Sequence, residues 1–457
     1  MFSSDDTIVA LATPRGRGGL GVVRVSGVQA QEVAQALLGR GAPLEARRAT
    51  VTTLVDVHAG RRQTIDEVVA TLFPGPRSYT GEDVVEVSAH GSPVLLDRIV
   101  ELAVASGARL AEPGEFTFRA FLNGRLDLMQ AEAVADLIEA VTPRQARVAF
   151  DQLEGTMTAR IAALDERLFD LTARLEASLD FPEEGYHFVT PDEVVDGLAS
   201  VRGEIEAALG EAAQGRLVRE GGQVVILGTP NVGKSSIFNG LLGSSRSIVA
   251  AEAGTTRDLV TEKLDLDGLA VTLVDSAGLR LAADVVEEEG VARARGAVEV
   301  AAAALVVLDR SRTWSAPELE AVREADGVPR VVAANKVDLP AAWDAAELER
   351  RAGVGAVEVS AATGEGLDAL RSALVGALGG GEPLRDSPAV ANRRHAGLLE
   401  RAAEALRAAE SGATAGAAEE FVLADVARAR TAFEELTGSR TPDQVLEHIF
   451  ERFCIGK

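Results

Sequence analysis

Five motifs in the middle of the chain place side chains that suit a nucleoside triphosphate. The first follows an apolar strand at 224–227 and reads Gly228-Thr229-Pro230-Asn231-Val232-Gly233-Lys234-Ser235, which matches the pattern G-x-x-x-x-G-K-[ST]. Glycines at these positions let backbone N–H groups close around a β-phosphate, and the following helix directs its positive N-terminus at the same group. We expect Lys234 to reach the β- and γ-phosphates and Ser235 to offer its hydroxyl to Mg²⁺.

Two further motifs predict contacts with Mg²⁺ and the γ-phosphate. A second apolar strand at 271–274 ends in Asp275-Ser276-Ala277-Gly278, a D-x-x-G motif. Its aspartate would hold Mg²⁺ through water, and the Gly278 amide would sense the γ-phosphate. Between this motif and the P-loop lies Gly254-Thr255-Thr256-Arg257-Asp258, in which Thr256 is placed to be the switch threonine on Mg²⁺.

The last two motifs predict which base is bound. A strand at 331–334 leads into Asn335-Lys336-Val337-Asp338, and a strand at 357–359 leads into Ser360-Ala361-Ala362. The carboxylate of Asp338 can accept hydrogen bonds from both the ring N1–H and the exocyclic amine of guanine. Adenine lacks that donor pattern and would leave the aspartate unpaired, so the motif selects guanine. Four of the five motifs follow predicted strands, as in a doubly wound G domain.

Hydrolysis of GTP needs a group that positions water and one that offsets negative charge. Ras-like GTPases carry a glutamine directly after D-x-x-G, but this chain has Leu279 there. The residues leave two candidates open, a monovalent cation and an acidic side chain from the segment 284–289.

The composition is that of an acidic globular chain. It has 457 residues, a net charge of −24, 47% hydrophobic residues and one cysteine, and this length predicts about two to four domains. Phosphate contacts need Lys and Arg, so an RNA partner must meet a local basic patch or arrive with a second protein. The chain shows no signal peptide and no apolar run of ~20 residues. We therefore expect a cytoplasmic protein with no membrane partner.

The periodicity of apolar residues divides the chain into four segments. Residues 1–121 alternate β-branched runs with two helical stretches, near Val28 to Leu38 and Pro93 to Ala105. Residues 122–215 follow a 3.6-residue period, 216–380 return to alternating strands and helices, and 381–457 are helical again. We predict a multidomain α/β and α fold. It has an N-terminal α+β domain, a discontinuous α-helical domain, and an inserted Ras-like P-loop G domain of the doubly wound α/β type at 216–380.

Longer motifs outside the G domain resemble one family. They are Gly16-Arg17-Gly18-Gly19-Leu20-Gly21, Phe73-Pro74-Gly75-Pro76-Arg77-Ser78-Tyr79-Thr80-Gly81-Glu82-Asp83, Pro113-Gly114-Glu115-Phe116 and the closing Phe453-Cys454-Ile455-Gly456-Lys457. Through them the chain resembles the tRNA modification GTPases of the MnmE (TrmE) family over essentially its whole length. The resemblance implies that residues 1–121 bind folate and dimerise, so that the protein is a homodimer.

The resemblance also implies a reaction. A potassium-dependent GTPase of this family would work with an FAD-containing MnmG-like partner, in a heterotetramer or larger complex. Together they would install a (carboxymethyl)aminomethyl group at C5 of the tRNA wobble uridine. The carbon would come from a tetrahydrofolate derivative, either 5-formyl- or methylene-tetrahydrofolate.

Roles in the G domain follow from the same resemblance. K⁺ would be held by Asn231, Ala250, Glu252 and Thr255, and Mg²⁺ by Ser235 and Thr256. Glu287, twelve residues after Asp275, takes the position of the catalytic glutamate; Lys234 and Cys454 complete the catalytic candidates. The full GTP-binding set is Asn231, Val232, Gly233, Lys234, Ser235, Ser236, Ala250, Ala251, Glu252, Ala253, Gly254, Thr255, Thr256, Asp275, Ser276, Ala277, Gly278, Asn335, Lys336, Val337, Asp338, Ser360, Ala361 and Ala362.

The expected folate contacts are Arg24, Glu86, Arg125 and Lys457. A pterin ring has a guanine-like donor edge that Glu86 can accept, while the cations face carbonyl or anionic groups. Arg24 and Glu86 also suit a cross-strand surface pair, and the family usually has lysine where this chain has Arg125. Cys454 is linked in the family to the modification reaction; the alternative is an inert buried thiol.

Other classes remain open at this point. His448 is interpreted as a helix-surface histidine. A ribosome-assembly or RNA-binding GTPase switch would share the P-loop, but such proteins usually carry a basic appendage with a GXXG loop after the G domain. Residues 381–457 show a helical pattern instead. A stand-alone signalling GTPase is disfavoured by the long N-terminal domain.

Overall fold

The computed structural model describes residues 6–58, 61–180, 189–244, 261–275, 300–379 and 390–456. They divide into two compact units. The first contains the residues up to Ala135, Gln152–Phe169 and the chain from Ala427 on; the second contains Asp136–Asp151 and Asp170–Val426. No helix within the described ranges is long and apolar enough to cross a bilayer.

The strands are β1 (Ile8–Leu11), β2 (Leu20–Ser26), β3 (Thr50–His58), β4 (Arg61–Phe73), β5 (Val84–His90), β6 (Arg109–Leu110), β7 (Gly222–Leu227), β8 (Thr261–Leu266), β9 (Leu269–Asp275), β10 (Ala303–Asp309), β11 (Arg330–Asn335) and β12 (Ala356–Glu358). The helices are α1 (Ala30–Leu37), α2 (Pro93–Ala105), α3 (Glu115–Leu122), α4 (Leu128–Glu139), α5 (Pro143–Leu153), α6 (Thr156–Asp180), α7 (Pro191–Gly210), α8 (Ala212–Glu220), α9 (Lys234–Ser244), α10 (Ala316–Glu324), α11 (Ala345–Ala352), α12 (Leu367–Leu378), α13 (Arg393–Thr414), α14 (Glu419–Thr437) and α15 (Asp443–Phe450).

The first unit is built on a sheet with strand order β3-β4-β5-β2-β1-β6. Neighbouring strands are antiparallel except β1 and β6, which are parallel. Side chains alternate between the two faces of a strand. One face therefore buries residues such as Val25 and Val87 in the same core as Ile99 of α2. Part of the opposite face keeps apolar side chains in solvent, with Leu20 71% and Val51 67% exposed. On β1, Ile8 and Ala10 of that face are buried in a cluster with Phe116.

A buried ion network holds the start of the first unit together. The guanidinium of Arg119, 1% exposed, lies 2.9 Å from Glu115 and 3.1 Å from Glu82. Arg109 lies 2.6 Å from both Glu115 and Asp6. Burial alone would raise the pKa of Glu115, but hydrogen bonds from Arg109, the Glu112 amide and Arg119 outweigh it and hold that pKa below its ordinary value.

The C-terminal tail belongs to this unit as well. Phe450 packs edge-on against Phe118 of α3, with ring centroids 5.1 Å apart. Gly114 has φ +70°, and a Cβ there would lie 2.5 Å from the Phe450 carbonyl oxygen, so only glycine fits. Pro113 and Ile455 form an isolated antiparallel bridge. Two motifs separated by more than three hundred residues in sequence therefore meet.

The second unit contains the α/β sheet predicted for the G domain. Its strand order is β12-β11-β10-β7-β9-β8. All neighbours are parallel except β8 and β9. Every residue of the central strand β10 is buried, as expected for a parallel strand covered on both faces. The carboxyl ends of β7, β9, β10, β11 and β12 consequently share one edge.

Helices that precede and follow the strands of this sheet in the sequence pack together. Helix α7 contacts α13. The Nε atom of Arg202 donates to Glu410 at 2.9 Å. This agrees with the expectation that the two helical arms of the chain meet.

We predict that Arg119→Met destabilises the first unit by about 3–5 kcal/mol, because Glu82 would lose its ion pair with Arg119 and the buried Glu115 would lose one of its two described arginine partners. Hydrogen exchange of the β1 and β2 amides in the full chain measures that free energy. The control is Arg98→Met, which removes a half-exposed arginine paired with Asp56 and should cost less than about 1 kcal/mol. Equal protection in the Arg119 variant and the parent would contradict a stabilising role for the network.

Candidate functional site

The loop from β7 to α9 has the shape that its glycines predict. Gly228 has φ +141°, and a Cβ there would lie 2.4 Å from the Val307 carbonyl oxygen. Gly233 has φ +100°, and a Cβ there would lie 2.2 Å from the Asn335 side-chain nitrogen. Asn231 also takes a left-handed conformation, with φ +65°, which non-glycine residues seldom adopt. Residues 228–233 thus curl tightly before the helix begins at Lys234.

Lys234 lies inside this curl. It is buried, and its Nζ donates to the carbonyl oxygens of Gly228 at 2.8 Å and Thr229 at 2.9 Å. The ammonium therefore sits at the N-terminus of α9, where helix N–H groups and a positive charge together suit a phosphate. Ser235 follows it on the first turn of the helix.

Asn335 joins three loops of the sheet edge. It is 2% exposed. Its Nδ2 donates to the Val232 carbonyl at 2.8 Å, and its Oδ1 accepts from the Ala361 amide at 3.1 Å. The first motif, the N-K-x-D motif and the Ser360 run are therefore brought together as the sequence predicts.

Lys336 and Asp338 belong to the same N-K-x-D motif, and each contacts a different neighbouring loop. Lys336, with φ +70°, donates from Nζ to the Asn231 carbonyl at 3.0 Å. The buried hydroxyl of Ser360 donates to Asp338 Oδ1 at 2.6 Å. Asp338 is therefore held by Ser360, in the loop that the sequence assigns to the base.

Sequence reasoning missed Asp309, the last residue of β10. Its Oδ2 accepts from Lys336 Nζ at 2.6 Å. The available signal was an acidic residue ending the apolar run 303–308, at the same sheet edge as the known motifs. Burial alone would raise the pKa of Asp309, but hydrogen bonds from Lys336 and Ser311 hold it below its ordinary value, so the group is a carboxylate at neutral pH.

Several expected contacts lie outside the described residues. They are Ala250, Ala251, Glu252, Ala253, Gly254, Thr255, Thr256, Ser276, Ala277, Gly278, Glu287 and Lys457. The backbone of Asp275 is described: it ends β9 and pairs with Ile226 of β7. The assignments of K⁺, Mg²⁺ and the catalytic glutamate to these positions remain predictions.

A second cluster lies on the sheet of the first unit. Arg24 of β2 stands opposite Glu86 of β5, and its Nε donates to Glu86 Oε1 at 2.9 Å. The guanidinium also lies over two rings, 5.0 Å from the centroid of Tyr79 and 5.7 Å from that of Phe116. Its Nη1 is buried and has no hydrogen-bond partner among the residues that the structure describes. An orphaned donor of this kind is suited to a ligand acceptor.

The loop 73–83 links Arg24 with Arg125. Arg125 Nε donates to the Ser78 carbonyl at 3.1 Å, and Tyr79 shares a 2.8 Å hydrogen bond with Thr117. Burial raises the pKa of Tyr79, so it is a neutral phenol at physiological pH. Three of the four expected folate residues are thus placed around or beside one loop.

Two predictions about the C-terminal segment can be compared with the structure. His448 is exposed on α15 and lies 2.8 Å from Arg452, which confirms the surface interpretation. Cys454 is exposed. The alternative of an inert buried thiol is therefore wrong, because the tail leaves Cys454 at the surface while Phe453 fills the core beside it.

Comparison with known proteins covers the chain from end to end. Residues 7–125 match the family model of the GTP-binding protein TrmE N-terminus, and residues 128–454 match that of the MnmE helical domain. A tRNA modification GTPase MnmE from Symbiobacterium thermophilum is 44% identical, covering 99% of this chain and 100% of that protein. The corresponding protein of Koribacter versatilis is 43% identical, covering 99% of each chain.

These matches extend over the N-terminal, helical and nucleotide-binding regions together, and they bear out the fold class expected from the sequence. The matched proteins are GTPases, which agrees with the described geometry of the P-loop, Asn335 and Asp338. The chain belongs to the tRNA modification GTPase MnmE family.

Proposed function

We propose that this GTPase works in the cytoplasm as a homodimer with an FAD-containing MnmG-like partner. The complex installs a (carboxymethyl)aminomethyl group at C5 of the tRNA wobble uridine, using a tetrahydrofolate one-carbon unit and K⁺-dependent hydrolysis of GTP. The observation that carries the proposal is the presence, in one chain, of preformed guanine-nucleotide loops and of an arginine with an orphaned buried donor beside Glu86. The proposed domains are 1–121, 122–215, 216–380 and 381–457.

We assign the selection of GTP to Lys336 and Asp338 of the N-K-x-D motif. The Ser360 hydroxyl occupies one oxygen of Asp338 and orients the carboxylate. Guanine offers two adjacent donors to such a group. Ser235 and Thr256 would supply oxygen ligands to Mg²⁺, and Asp275 would hold the ion through water; such oxygen donors suit this hard cation.

Potassium is assigned to Asn231 and the segment 250–255. Asn231 lies in the P-loop and has a left-handed backbone. Amide, carbonyl and hydroxyl oxygens form a donor set suited to a hard monovalent cation. When bound there, the ion supplies positive charge to the phosphates in the role of an arginine finger. Leu279 cannot orient water, and we assign that role to Glu287 because it takes the position of the family's catalytic glutamate.

Folate is assigned to the cluster around Arg24. Glu86 would accept from the pterin edge, and Arg24 Nη1 would donate to a ring carbonyl. The aromatic groups beside the guanidinium, Tyr79 and Phe116, suit a planar ring. Arg125 and Lys457 would complete the site at its anionic end.

Dimerisation is assigned to the open face of the first sheet. Val51 and Leu20 are exposed there, and Val51 stands opposite Val69, also exposed, on the neighbouring strand. A second copy would cover this apolar surface.

Acidic and basic residues are nearly balanced within residues 1–125, whereas the whole chain is strongly acidic. The tRNA would therefore be met at this part of the chain or through the partner protein.

We predict that Asp338→Asn weakens GTP binding by about 100-fold, because its amide would face the guanine donors with a donor of its own. Xanthosine triphosphate, which carries a carbonyl in place of the amine, should gain affinity. Titration with both nucleotides measures the effect. The matched control is Asp344→Asn at the N-cap of α11, which accepts from the Glu347 amide and tolerates asparagine. Unchanged preference for GTP would remove Asp338 from base recognition.

We predict faster GTP hydrolysis in K⁺ than in Na⁺ at equal ionic strength, and a loss of about 100-fold in kcat in Glu287→Ala. Steady-state phosphate release measures both. Glu288→Ala is the control, since it removes the same charge one residue away. Equal rates in the two salts would refute the cation, and a Glu287 variant as active as the control would refute the glutamate.

We predict that Glu86→Gln weakens binding of 5-formyl-tetrahydrofolate by about 10-fold or more, because it replaces a carboxylate that accepts from the pterin edge. Calorimetric titration of the full chain gives the dissociation constant, and GTP hydrolysis in the absence of folate should stay at the parent rate. Glu67→Gln, an exposed carboxylate on β4, is the control. Equal weakening in both variants would point to charge alone and against a pterin contact.

A further inference from the structure

We propose that Asp309 is a positioning residue that sets guanine-nucleotide affinity through Lys336. The inference rests on the proposed guanine site and adds to it a residue outside all five nucleotide motifs. Asp309 ends β10, and its side chain is 1% exposed. A carboxylate so deeply buried has a large cost of burial unless each oxygen is satisfied, and its partners show what it holds in place.

The two carboxylate oxygens of Asp309 have different hydrogen-bond partners. Oδ1 accepts from the Ser311 amide at 2.9 Å and from the Ser311 hydroxyl at 2.6 Å. Oδ2 accepts from Lys336 Nζ at 2.6 Å. The serine contacts orient the carboxylate, so that the second oxygen is presented to the lysine in one fixed direction.

Lys336 links the carboxylate of Asp309 to the P-loop. The same Nζ that binds Asp309 donates to the Asn231 carbonyl at 3.0 Å. The ammonium is therefore fixed between the end of β10 and the loop that surrounds the phosphates. Its four-carbon stem must extend from the N-K-x-D backbone to that point, which gives the base pocket one apolar wall. A flat heteroaromatic base packs well against such a stem.

The pairing also stabilises an unfavourable backbone. Asn231 and Lys336 both have left-handed φ values, +65° and +70°, which cost free energy for residues with side chains. The hydrogen bond from the Lys336 ammonium to the Asn231 carbonyl offsets part of that free-energy cost. Without Asp309, the lysine would lose the contact that directs it toward the Asn231 carbonyl, and both loops would be free to relax when nucleotide leaves.

Asparagine is the informative replacement at this position. It has the same shape as aspartate, but one of its two terminal atoms is an NH₂ donor. Whichever way the amide is turned, this donor faces either the Lys336 ammonium or the Ser311 donors. Asp309→Asn thus removes the anchor with little change in packing.

Trp343 provides a matched control on the same residue. Its indole Nε1 donates to the main-chain carbonyl of Asp309 at 3.0 Å. Trp343→Phe removes that hydrogen bond and leaves the carboxylate and Lys336 untouched. It perturbs the local structure of Asp309 without altering the proposed relay.

The experiment is a double-mutant cycle on the full chain, with release of mant-GDP as the readout. We expect Asp309→Asn and Lys336→Gln each to speed release by about 10-fold, the value of a hydrogen bond to a charged group. The double variant should release at the rate of Lys336→Gln alone, because Asp309 acts through the lysine rather than through Arg312, whose exposed guanidinium lies 3.6 Å from Oδ2. Trp343→Phe should stay within about 2-fold of the parent. An unchanged rate in Asp309→Asn, or the same acceleration in the Lys336→Gln background, would overturn the proposal.

Two further arms keep the test decisive. Asp309→Glu retains a carboxylate and should fall between the parent and Asp309→Asn; if the asparagine variant does not fold, the glutamate variant in the two Lys336 backgrounds replaces it. Preference of the parent for mant-GDP over mant-ADP tests the guanine site itself. Failure there would refute the proposed guanine site, whereas normal preference with no coupling between positions 309 and 336 would refute only the role of Asp309.

Discussion

The amide of Asn335 is the contact on which the nucleotide loops depend. Parallel strands bring their carboxyl ends to one edge of the sheet, but that leaves the loops beyond them free to separate. Asn335 closes the gap, since it donates to Val232 in the first loop and accepts from Ala361 in the last. Gly233 has no side chain because this amide fills the space where its Cβ would stand. The loops are therefore assembled around a buried polar group whose hydrogen bonds are satisfied within the protein.

The sheet of the first unit uses charge in two different ways. Arg119 is surrounded by carboxylates and a backbone carbonyl, so that its positive charge is fully compensated inside the core. Arg24 shares the same region but keeps a buried donor without a described partner. A compensated ion network fixes geometry, because losing one partner is costly. An uncompensated donor suits a ligand that supplies the missing acceptor. The rigid network beside Arg24 thus supports the loop 73–83 that the folate proposal requires.

The closing residues of the chain join this first unit through shape rather than charge. Phe450 and Phe453 fill the aromatic cluster around Phe118, and Gly456, with φ +99°, approaches the Leu11 carbonyl too closely for any side chain. The tail is therefore held at both of its ends. Cys454 is exposed between these anchors, and it is carried on a segment whose position is set by packing.

The nucleotide motifs and the alternation of strands with helices could be predicted from the amino-acid sequence alone. A P-loop, an N-K-x-D motif and the strands before them are contiguous runs whose function depends on local backbone shape, so spacing alone identifies them. The helix at Pro93–Ala105 was predicted with the bounds that the structure has. The helix expected from Val28 begins at Ala30, because Gly27, with φ +131°, and the Ala30 amide first close a turn.

Contacts between residues that are distant in the sequence could be identified only from the three-dimensional fold. Strand pairing placed Arg24 opposite Glu86, sheet order brought Asp309 to Lys336, and packing joined Pro113 to Ile455. The roles given to Thr256, Glu287 and Lys457 concern residues outside the described ranges and stay predictions. Local patterns specify what a segment is, because backbone propensity acts over a few residues. Which segments touch depends on the free energy of burying side chains from the whole chain at once, and no short window of sequence contains that information.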